Sequence, residues 1–164
     1  MAHDAITRAV LFDDLEREVQ SLLDGEDDWI AAMATVASAV HHSMPYYHWT
    51  GFYRCVSEGL LVIGPYQGGH GCLRIPFERG VCGAAARTRT TQRVPDVHAI
   101  PNHIACSSTT LSEIVVPVVT PSGVLLAVLD VDSDLPDAFD ELDQQSLERV
   151  CAQLGERFDR TTQR

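Results

Sequence analysis

Two apolar, β-rich runs, residues 113–119 (EIVVPVV) and 124–132 (VLLAVLDVD), flank the turn Pro121-Ser122-Gly123 and read as a hairpin. A second pair, WTGFYRCV and LLVIGPY, flanks Ser57-Glu58-Gly59 in the same way. Between the pairs lies a stretch, residues 66–110, far longer than an ordinary connection. It is rich in Gly, His and Pro but not of low complexity, with one short helix signal, GVCGAAARTR, starting near Gly80. A chain built this way must lay the long stretch over its sheet, where it can close a pocket.

The ends of the chain have the other period. Residues 4–23 place Ile6, Val10, Leu11, Leu15, Val19, Leu22 and Leu23 at helical spacing until Gly25 breaks the pattern. A small-residue helix follows over about 28–43, stopped by Pro45. The last segment, about 140–158, sets Leu142, Leu147, Val150, Cys151, Leu154 and Phe158 on one side. The order αα–ββ–(loop, short helix)–ββ–α predicts an α+β domain spanning 1–164, with an N-terminal helix in 1–27 and the core in 28–160. Its antiparallel β-sheet carries the N- and C-terminal helices on one face and the long loop region on the other.

A formal charge of −11 disfavours nucleic-acid and anionic-membrane partners, which need clustered Lys and Arg, and neither is expected. The acidic runs 24–28 and 134–143 read as solvated surface. No apolar run is long enough to span a membrane, and MAHDAITRAVLFDD has acids where a signal peptide carries lysines. A cytoplasmic protein is expected. Thiols stay reduced there, so catalytic cysteines gain weight over a structural disulfide framework.

The chain has five cysteines. Cys55 and Cys151 fall in apolar patterns and read as buried and inert. Cys72, Cys82 and Cys106 lie in the central stretch, outside any apolar run. A thiolate is a strong nucleophile, and a second thiol can regenerate it through a disulfide. Redox chemistry, a metal site, a structural disulfide and inert packing all remain open for the three. For zinc, Cys72, Cys82, His98, His103 and Cys106 are available, but their spacings match no compact zinc motif and neither a metal nor a resident cofactor is expected. His98 and His103 read as loop hydrogen-bonders.

Glu113 opens the first strand of the later hairpin, and Asp130 and Asp132 sit at the end of its partner. Residues two apart on a strand share a face, so pairing through the turn gathers these carboxylates at one sheet end. Such a cluster binds a cation or shares protons, because like charges disfavour ionisation. Cys106 precedes Glu113 by seven residues, which lets a nucleophilic sulfur and a proton donor face one cavity.

The segments HWTGFY, IGPYQG, CLRIPFERGVCG, QRVPDVHAIPNHIAC, SEIVVPVV, GVLLAVLDVDS and FDELDQ resemble, in order, the GAF-domain free methionine-(R)-sulfoxide reductases. The likeness covers about residues 30–155, and the three cysteines keep that family's spacing of ten and twenty-four. The resemblance implies a single GAF-like domain and assigns roles position by position. Cys106 is the nucleophile, Cys72 recycles it through a disulfide, and Cys82 is an accessory thiol. Trp49 and Tyr53 enclose the substrate methyl group. Glu113, Asp130 and Asp132 hold the ammonium and polarise the sulfoxide oxygen. Two positions depart from the pattern: Gly68-Gly69-His70-Gly71 precedes Cys72, where many relatives carry Lys, Pro or Ala, and Ser107 stands where Asp often follows the nucleophile.

The implied reaction is reduction of free methionine-R-sulfoxide through a Cys106 sulfenic acid and a Cys72–Cys106 disulfide, recycled by thioredoxin. Backbone N–H groups in loop 102–106 or at the short helix would hold the substrate carboxylate. The resemblance, with the amphipathic terminal helices, also implies a homodimer. A GAF small-ligand sensor and a thiol redox sensor without turnover are the competing classes.

Overall fold

The computed structural model describes residues 4–101, 103 and 106–159. Two helices open the chain, α1 (Ala5–Leu22) and α2 (Trp29–Ser43), each started by an aspartate cap: Thr7 N–H donates to Asp4 and Ala31 N–H to Asp28. The antiparallel pair β1 (Trp49–Ser57) and β2 (Leu60–Gln67) follows, then β3 (Arg74–Pro76), α3 (Gly80–Thr88) and β4 (Gln92–Val94). The later hairpin is β5 (Ser112–Val119) and β6 (Leu125–Ser133), and α4 (Glu141–Arg157) completes the chain. The strands form one six-stranded antiparallel sheet in the order β3-β2-β1-β6-β5-β4.

The period-2 alternation of the central strands divides the core. Phe52, Ile114, Val116, Val118, Ala127, Leu129 and Val131 point to one face, where Phe12, Leu15, Val19, Met33, Val36, Val40, Leu147, Val150 and Leu154 of the terminal helices cover them. The opposite face carries Tyr53, Leu61, Val115 and Val128 under Val81, Cys82, Ala85 and Ala86 of α3. The expected α+β layering holds on both faces.

The middle region is more ordered than its composition suggests. It supplies β3 and β4, the two edges of the sheet, and a 3-10 turn at Val97–Ala99. Each edge strand has three residues, too few to display an alternation, so neither is legible as a strand.

Helix α1 is rotated from its expected face. Ile6 and Val10 are 81% and 53% exposed, whereas Phe12, Leu15, Val19 and Leu23 are buried. Arg8 occupies the N-terminal end of this buried stripe in place of an apolar residue. It pairs with Asp140 at 2.7 Å and Asp143 at 2.6 Å, and its guanidinium lies over the rings of Phe12 and Tyr46. Asp143 is fully buried and also accepts from the Tyr46 and Tyr47 hydroxyls at 2.7 and 2.9 Å. Asp140 and Asp143 form a reciprocal capping box at the start of α4. Part of the 134–143 acidic run is therefore structural and not the solvated surface its composition suggests.

Gly155 of α4 faces the end of β5, where a Cβ would run into the Val119 carbonyl. Gly155→Ala should destabilise the fold by roughly 1–3 kcal/mol, despite its better helix propensity, because overpacking outweighs that gain. Urea denaturation of the variant measures it; a more stable variant would show that the two elements separate freely.

Candidate active site

The sheet register builds the site row by row. Glu113 pairs with Asp132, which pairs in turn with Trp49; Val115 pairs with Asp130, which pairs with Gly51. Glu113, Asp130 and Asp132 therefore share the face opposite the helix-covered core. Glu113 and Asp130 are 5% and 6% exposed, and Asp132 is partly exposed. The start of α3 closes the site from above with Gly80, Val81 and Cys82, and the loop carrying His103, Cys106, Ser107 and Thr110 closes its side. The cavity enclosed measures about 30 Å³, room for a water or two but not for an amino acid.

Cys106 is joined to Cys72 by a disulfide, with the two Cα atoms 5.3 Å apart. The bond straps the loop before Glu113 to the segment after β2. Cys82 is free, buried and set against Asp130. Burial raises its thiol well above the ordinary range, and the charges of Asp130, Glu113 and Asp132 push in the same direction. A thiol held protonated in this way is a poor nucleophile, despite its place in the first turn of α3. Cys151 is buried as expected and raised by burial, but Cys55 is only half-buried, because its strand passes toward the exposed Ser57 end of the sheet.

Burial is the first cause that raises Asp130 and Asp132 well above the usual carboxylate range. Repulsion from Asp132 and Glu113 adds to it at Asp130; repulsion from Glu113 adds to it at Asp132, where a hydrogen bond from Thr110 opposes. Asp130 Oδ1 has no hydrogen-bond donor among the described residues, and Glu113 Oε2 meets only the His103 imidazole. His103 Nε2 stands 3.4 Å from Glu113 Oε2, and that carboxylate raises the imidazole pKa. Sequence reasoning did not give His103 this position. Its one signal is proximity, three residues before Cys106 in a Pro-led segment.

Linkage fixes the sign of the cost. An aspartate whose folded pKa is raised keeps its proton more tightly in the folded chain, so stability falls as pH rises from near 4 through the raised value. Asp130→Asn removes a charge that the fold resists forming. The variant should gain roughly 1–3 kcal/mol at pH 8 and much less at pH 5. Thermal unfolding at the two pH values measures the difference, and a pH-independent effect would contradict the assignment.

Trp49 and Tyr53 lie outside the cavity lining in this disulfide-closed form. Their rings stack with centroids 5.9 Å apart, Trp49 also stacks on Tyr66 at 5.4 Å, and Trp49 Nε1 donates to the Gly69 carbonyl at 2.9 Å. Gly51 permits this layer, since a Cβ there would come within 2.5 Å of both the Trp49 ring and Tyr66 Cβ. Trp49 thereby anchors the Gly68-Gly69-His70-Gly71 segment that leads into Cys72. His98 caps no part of the cavity; its backbone N–H donates to Asp96. Loop 102–106, expected to offer backbone donors, lies partly outside the described residues.

The GAF domain family matches residues 9–158. The free methionine-R-sulfoxide reductase of Escherichia coli is 37% identical over 149 residues, covering 91% of this chain and 89% of that protein. The Saccharomyces cerevisiae protein of the same name is 36% identical over 152 residues, covering 89% and 84%. The crystal structure of free methionine-R-sulfoxide reductase from Neisseria meningitidis in complex with its substrate superposes with a TM-score of 0.88 at 39% identity, covering 99% of this chain and 95% of that one. A fold match alone would establish only the GAF architecture, but these identities extend over nearly the whole of both chains. The strap of sulfur over a buried carboxylate cluster thus sits in a chain that belongs to the GAF-domain free methionine-R-sulfoxide reductases.

Proposed function

We propose that the protein reduces free L-methionine-R-sulfoxide to methionine with electrons from its own thiols. The observation that carries this reading is the Cys72–Cys106 disulfide above Glu113, Asp130 and Asp132: an oxidised thiol pair beside a cation-seeking, proton-holding pocket. The disulfide form is the product state of the reaction. Its cavity of about 30 Å³ cannot accept the substrate, so the strap must be reduced before the next turnover.

In the reduced enzyme the Cys106 thiolate attacks the sulfoxide sulfur. The oxygen becomes a viable leaving group only when protonated, and Glu113 supplies that proton, replenished through His103. The attack forms a sulfur–sulfur bond to Cys106 and the protonated oxygen leaves as water; a water then attacks the Cys106 sulfur, breaking that bond to release methionine and leave a sulfenic acid. The Cys72 thiol displaces water from the sulfenic acid, giving the disulfide; an external dithiol, thioredoxin, reduces it by exchange and is itself oxidised. The balance is one sulfoxide and one dithiol to one methionine, one water and one disulfide. Such recycling requires a reducing compartment, which favours the cytoplasm. No helix among the described residues is long and apolar enough to cross a membrane.

Asp130 and Asp132 receive the substrate ammonium, which neutralises acids that the fold holds out of water. A methionine within a peptide offers an uncharged amide there and leaves the pocket's charge unpaired, so the free amino acid is preferred. Trp49 and Tyr53 would reach the methyl end once the loops part. The exposed Ile6, Val10, Leu22 and Ile30 on α1 and α2 support a homodimer, which light scattering tests.

The deciding assay is NADPH consumption with thioredoxin and its reductase. Free methionine-R-sulfoxide should sustain turnover, whereas the S epimer and an N-acetylated, amidated methionine sulfoxide should not. A folded protein inactive on the free R epimer would leave only the sensor readings.

A further inference from the structure

Cys82 is the one sulfur near the cavity that the disulfide chemistry leaves unused, and its neighbours are unusual for a packing residue. Its Sγ and one carboxylate oxygen each from Glu113 and Asp130 lie within 4.8 Å of one another, and all three residues are buried. Among the described residues Asp130 Oδ1 has no hydrogen-bond donor although Asp130 is more than nine-tenths buried. His103 Nε2, 3.4 Å from Glu113 Oε2 on the loop that closes the side of the cavity, lies next to this group but outside it, and is the nearest candidate for a fourth donor.

A substrate ammonium explains the carboxylates but makes no use of the thiol or the imidazole. A metal ion uses all of them. Calcium and magnesium prefer six or more oxygen ligands and would gain nothing from Cys82. One thiolate, two carboxylates and one imidazole make the four-coordinate, mixed S/N/O set of zinc or cobalt. With Zn–S near 2.3 Å and Zn–O near 2.0 Å, donors around a tetrahedral ion lie roughly 3.3–3.8 Å apart. For Cys82, Glu113 and Asp130, closing from the observed separations takes about an ångström of side-chain movement, which the cavity beside them allows, and His103 must swing in further to complete the set.

We propose that Cys82, Glu113 and Asp130, completed by His103, form an inhibitory site for a borderline-soft divalent cation of the zinc class, which competes with the substrate amine for the same carboxylates. The ion is not a cofactor. It occupies the pocket in place of substrate and withdraws Glu113 from proton transfer. The sequence hides the site because its ligands come from α3, β5, β6 and a loop, with no compact spacing.

The site differs from one built on the redox pair in a property that can be measured without turnover: it survives formation of the Cys72–Cys106 disulfide. Chelator-stripped, fully oxidised protein titrated with Co²⁺ should develop the near-ultraviolet thiolate-to-cobalt charge-transfer band at one equivalent. Cys82→Ser should lose the band, and Asp130→Asn, verified as folded by circular dichroism, should weaken binding at least about tenfold, as loss of one ligand in four predicts. In Cys106→Ser protein, which cannot turn the sulfoxide over, free methionine-R-sulfoxide should raise the cobalt concentration needed for half-saturation. No band in the oxidised wild type, a band that persists in Cys82→Ser, or a midpoint indifferent to the sulfoxide would each overturn the proposal. Because the readout is the cobalt spectrum, an enzyme inactive on the sulfoxide would leave the first two arms standing and overturn only the reading of the pocket as its substrate site.

Discussion

Cys106→Ser should form no methionine at all, in the steady state or in a single turnover. The substitution removes the sulfur proposed to attack the sulfoxide. Cys72 reaches the cavity only through its bond to Cys106, and Cys82 is held protonated by its own surroundings. A hydroxyl at position 106 is too weak a nucleophile for sulfur without an adjacent strong base. The loss should therefore be complete within detection, and thioredoxin or dithiothreitol should not restore activity. Cys72→Ser separates the steps. Chemistry at Cys106 remains intact, so about one methionine per active site should be released before the enzyme stalls as a sulfenic acid, which a dimedone-type probe would label. A stoichiometric burst from Cys106→Ser would transfer the attack to another thiol, and sustained thioredoxin-driven turnover by Cys72→Ser would mean that Cys82 or the external dithiol resolves the sulfenic acid.

The parts of this arrangement legible in the sequence are those governed by a short period. Alternation along residues 113–119 and 124–132 is enough to put Glu113, Asp130 and Asp132 on one face, and the turn at Gly123, with φ of 87°, fixes which ends meet. Helix limits were readable from Asp28, Pro45 and Asp140, because caps and breakers act locally. What stayed hidden depends on contacts distant in sequence. Nothing in the local sequence singles out Arg8; its partners Asp143 and Tyr46 lie far along the chain. Edge strands β3 and β4 exist because neighbouring strands offer them hydrogen bonds, not because three residues prefer to be extended. The roles of Cys72, Cys82 and Cys106 could be separated by family resemblance, but no residue pattern distinguishes a thiol strapped over the cavity from one buried against Asp130. That distinction is made by burial and charge, which are properties of the folded molecule.

Glu113→Gln should slow methionine formation by roughly 10²-fold or more, the usual loss when a positioned general acid is removed. The variant keeps the size of the side chain and its place opposite Asp132, so binding should suffer far less than chemistry. The two effects separate when kcat for the first turnover falls while KM changes by less than about threefold, consistent with an interaction made only in the transition state. The pH profile gives an independent readout. In the wild type, Asp130, Asp132 and His103 all have raised pKa values, so the site carries protons toward neutral pH and loses them as pH rises. The wild-type rate should fall on the alkaline side as that reservoir empties. In Glu113→Gln the connection between His103 and the sulfoxide oxygen is gone, so the residual rate should be low and nearly flat between pH 6 and 9. Rapid-quench measurement of the first methionine across that range decides the matter. A rate within twofold of wild type, or a loss confined to KM, would make Glu113 a binding residue and move the proton donor to Asp130 or Asp132, whose folded environment already keeps the proton in place.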